Sequence, residues 1–218
     1  NIACLRNGTT FMNTIVEMFG QAIGGDRSAG FAAVMPQVLK ATPDCGGLHA
    51  LPFMDDEPAV GVERGGTATI VGLNSDNATP GNVAKAALLA TAFNLRIGCE
   101  VLETQGYPRT EMLLSGGLTK TPKVGQILAD VYRTPVTLLE SAEEGTAWGA
   151  ALLAKFCHQS RLGDTMNWGD FLSSHASGSP VRFEPNEMAA SQYDAMYNRY
   201  RRLLDLHEGL QKATVNDN

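Results

Sequence analysis

Residues 111–151, EMLLSGGLTKTPKVGQILADVYRTPVTLLESAEEGTAWGAA, decide the fold. The apolar run Met112 to Leu114 reads as a strand that stops at Gly116-Gly117. An amphipathic segment from about Thr121 to Tyr132 follows, then a second apolar run, Val136 to Leu139. A small-residue helix, Glu143 to Ala154, comes next. Strand, Gly-Gly turn, helix, strand, helix is a βαβα unit, and its two parallel strands require a crossover through the intervening helix. The paired glycines stand just beyond a strand's carboxyl end, where open α/β sheets bind ligands. With no Cβ at that place, a flat ligand or a phosphate can come close to the backbone. The segment points to a nucleotide.

Composition sets the outer bounds. A chain of 218 residues is long enough for one substantial core with a small appendage. Apolar residues make up 44% and charged residues 18%, with 23 Gly, which fits a globular α/β domain and excludes an intrinsically disordered one. The formal net charge of −6 argues against a nucleic-acid partner. The one basic cluster, Arg199, Arg201 and Arg202, reads as the solvated side of a helix. No stretch reaches the roughly 18 apolar residues of a membrane span, so no membrane partner is expected. The four cysteines, Cys4, Cys45, Cys99 and Cys157, show no C-x-x-C pairing. They read as buried, reduced thiols of a cytoplasmic protein. The four histidines form no ligand pattern.

Working outward from the deciding segment, Thr10 to Gly20 places Phe11, Ile15, Met18 and Phe19 at helical spacing, with Gly20 as the stop. Gly24 to Ala29 reads as a turn, Phe31 to Lys40 as a short helix, and Leu48 to Phe53 as a short apolar strand. Asp55 to Gly66 reads as an irregular acidic loop; Asp55, Asp56 and Glu57 lack a further ligand for a metal and are expected to be solvated. Thr67 to Leu73 reads as a strand. Pro80 to Glu103 is the longest helical pattern, with Pro80 in the first turn and Val83, Leu88, Leu95 and Val101 on its apolar side. His158 to Pro185 is Gly/Ser/Asp-rich and reads as a surface excursion. Glu187 to Leu210 reads as a closing helix with Tyr193, Met196, Tyr197, Tyr200, Leu203 and Leu204 on one packing side.

These motifs, in this order, resemble the C-terminal half of the FGGY carbohydrate kinases of the actin-like ATPase superfamily. The matching elements are Gly116-Gly117, Gln126 to Val131, Pro135-Val136, and Glu144-Gly145-Thr146-Ala147-Trp148-Gly149-Ala150. Upstream, Ala68 to Leu73 and Asn82 to Leu88 resemble the family's second signature. The chain departs from it at Leu89, where the family has an acidic or amide side chain. It also reads Asp55-Asp56-Glu57-Pro58 where the family has a Gly-Glu-Arg-x-Pro motif, so no sugar contact carries over there. Cys4 to Thr10 is most similar to xylulokinase-like members. The resemblance spans about Cys4 to Phe156. It implies an actin-like, ribonuclease H-like ATPase domain of α/β class, a mixed sheet flanked by helices. Residues 1–157 would form the core of a nucleotide-binding lobe, and residues 158–218 its excursion and closing helix. Because only the family's second half is matched, the chain is expected to be incomplete, its sugar-binding N-terminal domain lying outside it.

Five residues are the candidates for holding a nucleotide. Gly116 and Gly117 end the strand beside a helix amino terminus, whose N–H groups and dipole favour phosphate; the plain alternative is a tight connection. By resemblance, Gly117 and Thr121 touch the nucleotide, Thr121 through a hydroxyl able to bond phosphate or ribose. Gly8 matches a family glycine that approaches the nucleotide from the opposite wall, with Asn13, or Met12, one turn later. Without the resemblance, Asn7-Gly8-Thr9-Thr10 is a helix cap. Lys120 belongs to no Walker motif and no dinucleotide fingerprint is present, so it reads as a surface residue. Glu143 and Glu144, adjacent carboxylates in a first helical turn, are explained by the helix dipole alone.

The resemblance implies ATP with Mg2+, a sugar acceptor such as the ketopentose xylulose, and an N-terminal kinase domain that supplies the catalytic carboxylate and most metal contacts. A homodimer is compatible with it. No catalytic or metal-ligating residue is assigned within this chain. The alternative is an actin-like domain without catalysis, serving as a sensor or scaffold.

Overall fold

Thr79 and Pro80 start the longest buried element. The Thr79 hydroxyl accepts the Asn82 amide and Pro80 takes the first helical position, where a missing N–H costs nothing. The alanine-rich text then runs as one helix to Thr104. In the computed structural model, which describes residues 4–139, 145–175 and 179–214, this helix is α3, Pro80–Thr104. Before it come α1 (Thr10–Ala22), α2 (Arg27–Lys40), β1 (His49–Leu51) and β2 (Thr69–Val71). After it come β3 (Met112–Leu114), α4 (Val124–Tyr132), β4 (Val136–Leu138), α5 (Gly145–Arg161), α6 (Trp168–His175), β5 (Val181–Phe183) and α7 (Glu187–Thr214). The chain divides into two units, Asn1–Arg109 with Asp130–Arg133 and Pro185–Asn218, and Thr110–Ala129 with Thr134–Glu184.

The first unit is a helical pack around α3. Residues 84–90 of α3 are buried all round rather than along one stripe, because α1, α2, β1 and α7 cover it from several sides. Val101, expected on the apolar face, is exposed. Small residues let the helices close on one another: a Cβ on Gly30 of α2 would stand 2.2 Å from the Val16 carbonyl oxygen of α1. A Cβ on Gly20 would stand 2.2 Å from the Asp26 carbonyl oxygen. Gly20 therefore does not stop α1, which continues to Ala22; it is the notch that lets the next segment turn back. The expected turn over Gly24 to Ala29 is shorter than its composition suggests, since the Asp26 side chain accepts the Ala29 amide at 2.9 Å and begins α2 at Arg27.

Tyr193, Met196, Tyr197 and Tyr200 of α7 are buried as the stripe predicts, and Tyr200 donates to Asn94 of α3 at 2.6 Å. Phe93 meets both Tyr197 and Tyr200 at ring-centroid separations of 5.6 and 5.4 Å. Arg96 reaches Asp194 at 2.7 Å, and Arg133 reaches the same carboxylate at 2.7 Å. Arg199, Arg201 and Arg202 lie on the exposed side. Lys85 is buried on α3, its ammonium donating to the Ala41 carbonyl at 2.7 Å where α2 ends. Burial pushes its pKa below the usual lysine range. Cys45 is buried too, and its thiol is pushed up to about 12 by desolvation. The expectation of four buried thiols fails elsewhere: Cys99 is half-buried, and Cys4 and Cys157 are exposed.

β1 and β2 form an antiparallel pair in this unit, His49 opposite Val71 and Leu51 opposite Thr69. Leu89, the departure from the family signature, is 1% exposed, so an aliphatic side chain fills the core there.

The second unit is built on a mixed three-stranded sheet in the order β3-β4-β5. β3 and β4 are parallel, Met112 opposite Val136 and Leu114 opposite Leu138, with α4 lying between them in the chain. β5 adds antiparallel to β4, Val136 opposite Phe183. Part of the Gly/Ser-rich excursion thus becomes α6 and the third strand, because Val181-Arg182-Phe183 alternates in the period of a strand. Gly125 of α4 packs on that strand: a Cβ there would fall 2.6 Å from the Phe183 ring. Phe156 of α5 meets Trp168 and Phe171 of α6 at centroid separations of 4.9 and 5.2 Å. Among the described residues no helix is long and apolar enough to cross a membrane.

Candidate functional site

Ser115 to Thr121 is the turn that the paired glycines predicted. Gly116 has φ +88° and ψ −163°, a backbone region open essentially to glycine alone. Its carbonyl accepts two bonds from Thr119, the amide at 3.0 Å and the hydroxyl at 2.7 Å. Those bonds wind Gly117–Lys120 into a short 3₁₀ turn. Gly117 and Leu118 head that turn, where N–H groups have no acceptor within the helix. Thr121 closes it by donating its amide to the Leu118 carbonyl, and its own carbonyl accepts the Val124 amide at 2.9 Å, so it joins the turn to α4. Among the described residues, a Cβ built on Gly116 or Gly117 meets nothing within 4 Å, so neither glycine is required for packing against them. Gly117 itself is exposed.

Two neighbours sharpen this picture. A Cβ on Gly145, at the head of α5, would come 3.4 Å from Ser115 Cβ, so the thin end of that helix approaches the strand end as its small residues suggest. The approach does not extend along the helix, since a Cβ on Gly149 meets nothing within 4 Å. Lys120 is exposed, as expected of a surface residue. Glu143 and Glu144 lie outside the described residues.

Gly8 and Asn13 belong to the first unit, whereas Gly116, Gly117 and Thr121 belong to the second. Gly8 precedes α1, and a Cβ there would make only an ordinary contact, 3.7 Å from the Leu5 carbonyl oxygen. Asn13 is half-buried one turn into α1, its amide bonded to the Thr9 carbonyl at 2.9 Å. Met12, the other residue weighed for that place, is buried in the core and has no face to offer a ligand. Asn7-Gly8-Thr9-Thr10 is not a side-chain cap: Thr9 holds the cap position and makes no capping bond.

What holds the Gly8 segment is a residue that sequence reasoning missed. Glu57 is 1% exposed, not solvated. Its carboxylate accepts the Arg6 amide at 3.1 Å, the Asn7 amide at 2.9 Å and the Asn7 side-chain amide at 3.2 Å. Asn7 in turn pairs with the Asp55 backbone like a strand residue, accepting from its N–H and donating to its carbonyl, both at 2.9 Å. Arg6 bonds Asp56 at 2.5 Å. An acidic run in a loop gives no sign that one of its carboxylates turns inward, because the partners are main-chain amides fifty positions upstream.

Comparison with known proteins places these two loops in a family. The sequence profile described as the FGGY family of carbohydrate kinases, C-terminal domain, matches residues 3–157. A xylulose kinase from Haemophilus influenzae is 31% identical over 112 residues, covering 51% of this chain and 22% of its own length. A ribulokinase from Mycolicibacterium smegmatis is 30% identical over 162 residues, 74% of this chain and 27% of its own. A glycerol kinase from Paenarthrobacter aurescens is 33% identical over 147 residues, 64% of this chain and 28% of its own. The chain thus spans roughly a quarter of the length of these curated relatives. Among solved structures, a xylulose kinase from Lactobacillus acidophilus superposes with a TM-score of 0.74 at 19% identity, over 96% of this chain and 40% of its own. One from Rhodospirillum rubrum gives 0.70 at 24%, over 93% and 38%. These neighbours share the fold, that of the actin-like ATPases. With a matching profile over well more than half its length, the chain belongs to the FGGY family of carbohydrate kinases, through that family's C-terminal domain.

Proposed function

We propose that this chain is the nucleotide-binding half of an ATP-dependent sugar kinase, which passes the γ-phosphate of ATP to a sugar hydroxyl, the acceptor being a ketopentose such as xylulose. The observation that carries the reading is the Gly116-Gly117 turn: a glycine-only backbone followed by a bare, exposed residue with no atom of the described residues within 4 Å of where its Cβ would stand, its chain neighbours aside. In a kinase family, such unfilled room beside the head of a helix suits a phosphate or a nucleotide base. Xylulose enters through the xylulose kinases among the relatives and neighbours; the ribulokinases and glycerol kinases beside them make the coarser class a polyol or sugar.

In this reading Gly117 lets ATP rest against main chain, and the amides of Gly117 and Leu118 face its phosphates. Thr121 offers a hydroxyl at the end of the same turn. Gly8 and Asn13, in the first unit, are further candidates for contacting the nucleotide. Phosphoryl transfer further needs a base for the sugar hydroxyl and a divalent cation to neutralise the phosphates. The match to the family's C-terminal domain supports assigning Mg2+, the base and the sugar pocket to an N-terminal kinase domain. The contribution of this chain is to bind, orient and shield the nucleotide from water.

Titration of the 218-residue chain with a non-hydrolysable ATP analogue tests the reading, with Gly117→Val as the blocked form. The valine is expected to lower affinity at least about tenfold by closing the approach to the main chain. Equal affinity of the two forms refutes it. A coupled ADP-release screen of pentuloses and polyols on the complete kinase then names the acceptor.

A further inference from the structure

Glu57 lies outside every residue assigned above to the nucleotide, yet it fixes the segment from which Gly8 projects. Three observations within the first unit carry this. Thr9, at the head of α1, makes no side-chain capping bond, so the segment before it is not tied down there. The Glu57 carboxylate, 1% exposed, ties that segment from across the chain, one oxygen on the Arg6 amide and the other on both amide groups of Asn7. Finally, Glu57 itself cannot swing. Its backbone is locked in a two-way bridge to Val62, amide to carbonyl at 2.8 Å and the reverse at 3.1 Å, around a 3₁₀ turn that Pro58 opens and Gly61 closes. A carboxylate held on a rigid fork sets the height and direction of residues 6–8 far more narrowly than a flexible cap would.

We infer that Glu57 is a positioning residue for the nucleotide: it never touches ATP, and it holds the Asn7-Gly8 main chain in the conformation that Gly8 presents to the nucleotide. This rests on the reading of Gly8 as a nucleotide contact. Replacing the carboxylate by an amide keeps the shape but turns an NH2 group toward backbone N–H donors that need an acceptor. The local chain must then shift, and Gly8 with it.

The test measures binding of a non-hydrolysable ATP analogue to the 218-residue chain, by calorimetry, together with hydrogen exchange of the residue 6–10 amides. Wild type is compared with Glu57→Gln, with Gly117→Val, and with Glu63→Gln, an exposed carboxylate in the same loop. Glu57→Gln is expected to bind about tenfold more weakly, the equivalent of one hydrogen bond to a charged acceptor, and to lose the added protection of residues 6–10 that the analogue gives wild type. Glu63→Gln is expected to match wild type in both readouts. A folded Glu57→Gln with wild-type affinity overturns the inference while leaving the nucleotide reading intact, provided Gly117→Val is weakened. A wild-type chain that binds no analogue removes the nucleotide reading and this inference together. Where Glu57→Gln fails to fold, Asn7→Ala keeps both main-chain bonds to Glu57 and deletes the Asn7 side-chain bonds, to Glu57 and to the Asp55 and Asp56 backbone. It is expected to show the same weakening in smaller degree, and unchanged affinity there also overturns the inference.

Discussion

The α1–α2 crossing in the first unit and the Gly116-Gly117 turn in the second use glycine for opposite ends. At Gly20 and Gly30 an added methyl group would strike a carbonyl oxygen of the neighbouring backbone, so the missing side chain is already occupied by protein. At Gly116 and Gly117 the same methyl group would meet none of the described residues. Sequence alone does not separate the two cases, since both are small residues near helix ends. The structure does: glycine at a helix crossing is spent on packing, whereas glycine before open space is unspent and available to a ligand. Gly116 adds a further demand, a backbone geometry that side chains do not tolerate.

The contrast breaks most visibly at Gly30. A Gly30→Val substitution should destabilise the chain by about 3 kcal/mol or more, because the α1–α2 crossing has no room to relax. Urea unfolding measures it; a loss under about 1 kcal/mol would mean that the crossing is loose and the contrast false. Gly117→Val should behave the other way round. Its effect on stability should stay within about 0.5 kcal/mol, while its affinity for the ATP analogue falls at least about tenfold. A variant that lost stability and kept affinity would place Gly117 with the packing glycines.

The first unit should also respond to pH through His49 and His207, both buried. Desolvation pushes each imidazole below the usual histidine range. His207 has Thr67 as a partner at 2.9 Å, and His49 faces the Gly47 carbonyl at 3.2 Å. From about pH 6.5 downward the unfolded chain takes up protons that the folded chain refuses, so stability is fully present above that value and is lost as pH falls toward the lowered folded pKa values. The thermal midpoint should therefore drop between pH 7.5 and pH 5.5; a flat or rising profile would show that these rings are hydrated. The smallest effect is expected at the surface. Glu187, with a side chain 84% exposed, pairs with Arg133 at 2.6 Å. Glu187→Ala should cost less than about 0.5 kcal/mol by urea unfolding, and a cost above about 1 kcal/mol would mean that this pair acts as part of the Asp194 network.

Much of this molecule was legible because its signals are local. Met112 to Leu114, Gly116-Gly117 and Val136 to Leu138 announce themselves by composition and spacing, and the parallel pairing of β3 and β4 follows from the helix between them. The Tyr-rich face of α7 was legible for the same reason, since period 3.6 survives in the text. What stayed hidden depends on distant partners. β5 alternates over just three residues, too short a signal until it is seen paired with β4. Glu57 is the extreme case: it reads as one charge in an acidic run, and its burial is dictated by amides at residues 6 and 7. The Gly116-Gly117 turn is legible in the sequence, whereas the carboxylate that holds the Gly8 segment is not.

Cysteine placement gives the first unit a chemical clock. Cys4 and Cys157 face solvent, whereas Cys45 sits in the core beneath α3 with a thiol that burial keeps protonated at neutral pH. An alkylating reagent would consume the two outer sulfurs promptly, the half-buried Cys99 more slowly, and reach Cys45 only during transient opening of the helical pack. The lag between the fast and slow labels would time how often that core breathes, without a single engineered residue.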